Sequence, residues 1–191
     1  MKYFRFMYKQ SETGKTNEKS NKFELAQKRL NMLFNKKEST LYSVCDGEII
    51  PISLIDDEAI SQGFLGQGYG VKPKSDHILS PADGTVISVS DTKHAYTLST
   101  EDGAEILIHI GIDTVELNGE GFTPLVSAGQ RVKRGEEIAI ARIDVLKDLG
   151  YKTDIAVLIT NCDEYKIENM YFGFAKGGDA VALSYRKISQ S

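Results

Sequence analysis

The stretch Glu105-Ile-Leu-Ile-His-Ile-Gly-Ile112 decides the fold class of this chain. Isoleucine occupies every second position, at 106, 108, 110 and 112. Such alternation is typical of a β-strand that buries one face, because successive side chains of a strand point to opposite sides of the sheet. The isoleucines are therefore predicted to face the core, and His109 is predicted to lie on the opposite face with Gly111 and Asp113.

Short alternating runs of the same kind recur from Leu41 onward, separated by Gly, Pro, Asp and Asn residues that are typical of turns. The predicted strands are residues 48–54, 85–90, 94–100, 105–112, 137–143, 154–160 and 180–188. Residues 56–62 and 144–149 are predicted to form single helical turns. Many short strands without long helices predict an all-β fold, either an antiparallel β-sandwich or a partly closed barrel with short helical turns.

The strand that contains His109 is predicted to form a hairpin with the run before it, residues 94–100. The dipeptide Asp102-Gly103 lies between them and is a strong hairpin-turn signal. A two- or four-residue loop puts Tyr96 opposite His109, which makes His94 a diagonal neighbour of His109 on the same face. A three-residue loop would put the two rings on opposite faces, so this turn decides the predicted geometry.

Two imidazoles on one sheet face allow three interpretations. They could be metal ligands, since histidine is a common zinc ligand. They could be a nucleophile with a supporting donor, because an imidazole nitrogen forms covalent intermediates. They could also be partly buried polar residues that their neighbours satisfy. Gly111 is expected to leave open space between the rings, whereas His77 lies in a polar loop and is predicted to be an ordinary surface residue.

Charge divides the chain into two parts, predicted as a basic head, residues 1–40, and a folded domain, residues 41–191. The head has a net charge of +6 in a chain of −4, so the folded domain is acidic and nucleic acid is not the expected partner. Residues 10–22 are predicted to be a linker or disordered. Apolar residues recur at helical spacing over residues 23–36, which predicts a basic amphipathic helix that either lies on an anionic membrane surface or packs as a linker helix.

No stretch of the sequence approaches the roughly 18 to 20 apolar residues that span a bilayer. Cys45 and Cys162 lie far apart and form no CxxC motif, which suits a reducing compartment. We therefore expect a cytoplasmic protein that would be peripheral at the inner face of the membrane if residues 23–37 contact lipid.

Residues 108–122, IHIGIDTVELNGEGF, resemble the active-site signature of glucose-type enzyme IIA. That family is the IIA component or domain of the bacterial phosphoenolpyruvate-dependent sugar phosphotransferase system. Shorter motifs agree with the family in order and spacing: GQGYGVKP at 66–73, SPADGT at 80–85, TKHA at 92–95, GQRVKRG at 129–135 and TNCD at 160–163. The resemblance covers about residues 41–188, leaves the basic head outside, and implies a β-sandwich.

The resemblance implies a phosphotransferase component that acts as a phosphocarrier. His109 would accept a phosphoryl group from the phosphocarrier protein HPr and donate it to the cysteine of a sugar-specific IIB domain. His94 would help to stabilise the phosphoryl group, and Thr92 would orient His94. Asp57 and Asp113 correspond to acidic residues that meet the basic surface of HPr.

Two further partner-binding residues are expected, and two other functions remain open. Ile60 stands where many relatives carry Phe in a hydrophobic ring around the site, and backbone N–H groups near Gly111 are expected to add donors. No cofactor is implied and no metal is required, although a zinc ion shared between His94, His109 and a partner's carboxylate would resemble an arrangement in relatives. The alternatives are a regulatory protein whose partners depend on phosphorylation of His109, and a zinc hydrolase, which would need a His-x-His ligand set that this sequence lacks.

Overall fold

We describe residues 38–188 of a computed structural model of the chain. They contain fourteen strands and two short helices, which confirms the predicted all-β class. The strands are β1 (Ser39–Tyr42), β2 (Gly47–Pro51), β3 (Gln67–Pro73), β4 (His77–Leu79), β5 (Gly84–Val89), β6 (Ala95–Thr100), β7 (Glu105–Ile110), β8 (Phe122–Pro124), β9 (Arg131–Val132), β10 (Glu137–Ala141), β11 (Ile155–Ile159), β12 (Tyr165–Met170), β13 (Gly173–Ala175) and β14 (Val181–Lys187). The helices are α1 (Glu58–Ser61) and α2 (Ile143–Asp148).

The strands form three antiparallel sheets. The largest has eight strands in the order β13-β2-β3-β11-β7-β6-β5-β9, and two three-stranded sheets have the orders β1-β14-β12 and β4-β10-β8. The sheets do not close on themselves, so the architecture is a sandwich rather than a complete barrel. The strand that carries His109, β7, pairs with β6 on one side and with β11 on the other.

The main core lies on one face of β7, as the alternation predicts. Ile106, Ile108 and Ile110 are each 0% exposed and belong to one cluster with side chains of all three sheets. Complete burial of an isoleucine side chain stabilises a fold by about 1.5–3 kcal/mol, so this face holds β7 firmly in one orientation. His109 is thereby directed to the other face of the eight-stranded sheet.

A second, smaller apolar cluster covers part of that other face. Its buried members are Ile50, Ile55, Ile60, Ile112, Ala156 and Leu158. The 3-10 turn Ile52–Leu54 and α1 follow β2 directly and supply part of the cluster. The prediction that Ile112 shares the main core is wrong, because Gly111 has a positive φ of 76° that ends the strand before Ile112.

The predicted register between β6 and β7 is also wrong, by one residue. β6 ends at Thr100 and β7 begins at Glu105. The Thr100 N–H donates to the Ala104 carbonyl at 2.9 Å, so the hairpin closes around a three-residue loop, 101–103, and Ala95 rather than Tyr96 lies opposite His109. Tyr96 is paired with Ile108 and is 0% exposed in the main core.

Asp102 explains why the loop has this length. Its carboxylate accepts hydrogen bonds from the hydroxyls of Thr100 at 2.5 Å, Ser39 at 2.7 Å and Tyr185 at 3.2 Å. Burial raises the pKa of Asp102, but these hydrogen bonds outweigh burial and lower it. Two of the donors come from β1 and β14, which are remote in sequence, so tertiary contacts draw Asp102 away from an isolated two-residue turn.

The predicted head, residues 1–40, lies almost wholly outside the described residues, and the amphipathic helix predicted at 23–36 lies entirely outside them. Within residues 38–188, no helix is long and apolar enough to cross a membrane.

Candidate functional site

His109 lies in a row of small side chains on the outer face of the eight-stranded sheet. Its cross-strand neighbours are Ala156 on β11 and Ala95 on β6. Alanine on both sides leaves the width of the imidazole free above the sheet, while the main core on the other face fixes the backbone beneath it.

His94 lies beside His109, with ring centroids 4.8 Å apart and ring planes at 81°. Alternation along β6 would direct His94 to the core face together with its partner Ile110, whose N–H donates to the His94 carbonyl at 2.9 Å. His94 is, however, the last residue of the loop between β5 and β6, and Lys93 before it has a φ of 61°. The two rings are therefore close together, as expected. Their proximity comes from the loop that carries His94 and not from the predicted strand register.

Thr92 is the closest hydrogen-bond partner of the His94 ring. Its Oγ1 lies 2.7 Å from His94 Nδ1, and the Oγ of Ser90 lies 3.4 Å from the same nitrogen. If the Thr92 hydroxyl donates to Nδ1, the single proton of a neutral ring must reside on Nε2. With this direction of donation, Nε2–H is the donor that His94 offers.

Both imidazoles are neutral at pH 7. Burial, followed by repulsion from His109, lowers the pKa of His94 from 6.5 to about 4. Burial also lowers the pKa of His109, although the backbone of Gly111 and the charges of Asp57 and Asp113 act in the opposite direction. A neutral ring has a lone pair on one nitrogen, so the site combines a nucleophile with an N–H donor.

The two ring nitrogens of His109 differ in accessibility. Nδ1 is buried and makes no hydrogen bond of ordinary geometry with residues 38–188. An incoming group cannot reach this atom, which leaves Nε2 as the nitrogen available for chemistry.

Gly111 is buried, and its role differs from the expected one. A Cβ at this position would clash with the Thr114 methyl group, so the position beside the rings is filled rather than open. The N–H of Gly111 donates to the Asp154 carbonyl at 3.1 Å, and that of Ile112 donates to the Lys152 carbonyl at 2.9 Å. These two N–H groups are therefore not free donors for a bound group, and Gly111 serves the tight turn after β7.

The two aspartates expected beside the site lie on separate loops. Asp57 precedes α1, and its carboxylate accepts the N–H of Ile60 at 2.9 Å as the helix N-cap. Asp113 is exposed, has a φ of 58° and precedes the 3-10 turn Thr114–Leu117. Their charges both favour the protonated form of His109, so the structure brings both carboxylates to the site.

Ile60 does not fit the expected role of a docking residue, because its side chain is 1% exposed within the second cluster. The exposed apolar residues of this region are Leu54, Phe64 and Leu65, and Phe64 is 73% exposed. Helical spacing would put Phe64 on the same face as Ile60. The helix ends at Ser61, however, and Gly63 has a φ of 76°, so the turn directs Phe64 outward.

The two histidines could complete a zinc site only with further ligands from a partner protein. Across residues 38–188, no three His, Cys, Asp or Glu side chains converge as a ligand set. His94 and His109 would supply two ligands, and a tetrahedral site needs two more.

We expect His94 to make the stability of the protein depend on pH. Its pKa is 6.5 in an unfolded chain and about 4 in the fold, so the unfolded state binds more protons between these values. Stability is therefore complete above about pH 6.5 and falls by up to ~3 kcal/mol as the pH drops towards 4. Urea unfolding at pH 7.5 and pH 4.5 measures this loss, which should be smaller in His94→Gln. Equal losses in the two proteins would contradict the assignment.

Comparisons with known proteins agree with the fold and the motifs. The family described as phosphoenolpyruvate-dependent sugar phosphotransferase system, EIIA 1, matches residues 39–165. The glucose-specific EIIA component of Buchnera aphidicola is 34% identical over 151 residues, which cover 79% of this chain and 94% of that protein. The glucose-specific EIICBA component of Streptococcus pneumoniae is 39% identical over 133 residues, which cover 70% of this chain but 18% of that longer protein.

A solved structure gives the same result. The glucose permease IIA from Mycoplasma capricolum superimposes with a TM-score of 0.73 at 34% identity and covers 79% of this chain and 97% of that one. With a fold, a family match and a paired-histidine site that agree, the chain belongs to the EIIA 1 family of the phosphoenolpyruvate-dependent sugar phosphotransferase system and is a phosphocarrier component of that system.

Proposed function

We propose that His109 carries the phosphoryl group, accepting it from phospho-HPr and donating it to the cysteine of a IIB domain. The observation that carries this proposal is the contact between two neutral imidazoles, 4.8 Å apart, one of which has its Nδ1 buried. A neutral ring with one reachable nitrogen is a suitable acceptor at pH 7.

The transfer is a displacement at phosphorus. The lone pair of His109 Nε2 forms a bond to phosphorus while the bond between phosphorus and the donor atom breaks, and the electron pair of that bond leaves with the donor. Phosphoryl transfer depends mainly on positioning and on stabilising charge on three equatorial oxygens. The Nε2–H of His94 is the donor that this site offers to one of those oxygens.

Thr92 acts through His94. By donating to Nδ1 at 2.7 Å, its hydroxyl keeps the proton of His94 on Nε2, the nitrogen that must face the phosphoryl group. The low pKa of His94, about 4, keeps this ring neutral, so the site stabilises the phosphoryl group without trapping it as a full cation would.

Asp57 and Asp113 support docking of a basic partner surface. They lie on two loops around His109, and the exposed side chains of Leu54, Phe64 and Leu65 extend the same region. Carboxylates steer a basic protein towards the site, and apolar contacts hold it there.

Docking is tested with Phe64→Ser, which removes an exposed apolar contact and should raise the KM for phospho-HPr several-fold with little change in Tm. Phe172→Ser is the matched control, because Phe172 is 53% exposed but lies between β12 and β13. If both variants raise KM equally, or neither does, the docking surface is assigned incorrectly.

The phosphoryl acceptor is tested by incubating the protein with HPr, its upstream kinase and labelled phosphoenolpyruvate. Acid-labile, base-stable label should appear on the native protein, because a phosphoramidate hydrolyses in acid. His109→Ala should abolish uptake, and uptake by that variant would refute the assignment.

The role of His94 is tested in the same assay. His94→Gln should still accept the label, because His109 remains intact, but should deliver it more slowly to the IIB domain. Normal delivery by His94→Gln would exclude the proposed supporting role.

We also propose that residues 23–37 of the cytoplasmic protein contact the inner face of the membrane. The support is in the sequence: apolar residues at helical spacing with a net charge of +6 over residues 1–40. The full-length chain should sediment with anionic vesicles and not with neutral ones, and Leu30→Asp with Leu33→Asp should prevent sedimentation. Binding that is unchanged in this variant would contradict the proposal.

A further inference from the structure

Three non-glycine residues within residues 38–188 have a positive φ, and all three lie in the loop before β6 or the loop after β7. They are Lys93 at 61°, Asp113 at 58° and Asn118 at 50°. Asp and Asn adopt this left-handed conformation more readily than other residues, because their short polar side chains bond locally to the backbone. Lysine has no such compensation, so Lys93 is the unfavourable member of the three.

Hydrogen bonds on both sides of Lys93 impose its conformation. Its own N–H donates to the Ser90 carbonyl at 2.8 Å, and the N–H of Ser90 donates to the Ala95 carbonyl at 2.9 Å. The N–H of Ala95 also donates to the Ser90 hydroxyl at 3.1 Å. These hydrogen bonds close residues 91–94 into a tight loop between β5 and β6. Lys93, the left-handed residue, lies two positions before β6 begins.

His94 departs from the alternation of β6. In β6, Tyr96 and Leu98 are buried in the main core, and uninterrupted alternation would direct His94 to that face as well. The ring of His94 instead lies 4.8 Å from that of His109, which belongs to the other face. The departure is at His94, whereas the positive φ is at Lys93, the residue that joins His94 to Thr92. The left-handed conformation of Lys93 therefore sets the position of Thr92 relative to His94.

We propose that Lys93 is a positioning residue whose left-handed backbone holds the Thr92 hydroxyl against His94 Nδ1, which fixes the His94 ring beside His109. Its effect on the reaction is indirect, through the Thr92 contact to His94 Nδ1 and the tautomer and orientation that this contact gives the ring. The effect that we expect on phosphoryl transfer rests on the proposed function, whereas the effect on the His94 ring does not.

The Lys93 side chain lies along the loop that follows His109. A Cβ on Gly119 would come within 3.3 Å of Lys93 Cδ and 3.7 Å of its Nζ, so the lysine stem occupies the space above this glycine. The backbone conformation of Lys93 and the packing of its side chain are thus two separate contributions to the structure of the site, and substitutions distinguish them.

The test compares three substitutions at one position. Lys93→Val introduces a β-branched residue that strongly disfavours positive φ, and should slow delivery of the label to the IIB domain by at least about tenfold, since small displacements of a positioned group have large effects on rate. Lys93→Gly and Lys93→Asn both adopt positive φ readily and both lack the ammonium group, and they should deliver the label at close to the native rate. Lys133→Val is the matched control, because it replaces another exposed lysine with valine away from the two histidines.

The second readout needs no phosphoryl donor. Nitrogen-15 NMR of the imidazoles should show the Nε2–H tautomer of His94 in the native protein, in Lys93→Gly and in Lys93→Asn, and a mixture of tautomers in Lys93→Val. A native signature in Lys93→Val would overturn the proposal even if the chain accepts no phosphoryl group. Failure of all three substitutions alike would also overturn it, because the side chain and not the backbone would then be responsible.

Discussion

The pairing of β7 with β6 and β11 is the constraint on which the rest of the structure depends. It places a strand of alternating isoleucines in the middle of the eight-stranded sheet, where one face is buried in the main core. Rotation of β7 about its axis would expose three isoleucines at once, at a cost of several kcal/mol. The direction of His109 is therefore set by the strand that carries it.

Partial burial without a charged partner gives the two histidines their chemical character. Desolvation disfavours the imidazolium form, and neighbouring imidazoles repel each other when protonated, so both rings remain neutral at pH 7. The two aspartates oppose this tendency at His109 but lie on separate loops around it. The result suits a carrier, which must bind a phosphoryl group and release it again, better than a strongly cationic pocket would.

Loops rather than strands complete the site, and they adopt conformations that a free chain disfavours. Lys93 and Asp113 have positive φ values within a few residues of the histidine pair, as does Gly111, for which this conformation is unstrained. Such strain persists where surrounding contacts over-determine the backbone, and it concentrates at functional sites. At Gly111 the contact is steric, since only a residue without a side chain fits beside Thr114.

The sequence by itself determined the all-β class, the buried face of β7 and the opposite orientation of His109, because a period of two is a local property of the strand. The hairpin signal at Asp102-Gly103 also predicted that His94 lies beside His109, although through a register that is wrong by one residue. Only the tertiary structure decided the loop length between β6 and β7, because Ser39 and Tyr185 hold Asp102 from distant strands. It also decided that Ile60 is buried while Phe64 is exposed. A spacing of four residues would put both on one face of a helix, but this helix ends at Ser61. Register and exposure depend on contacts between remote segments, which no local pattern contains.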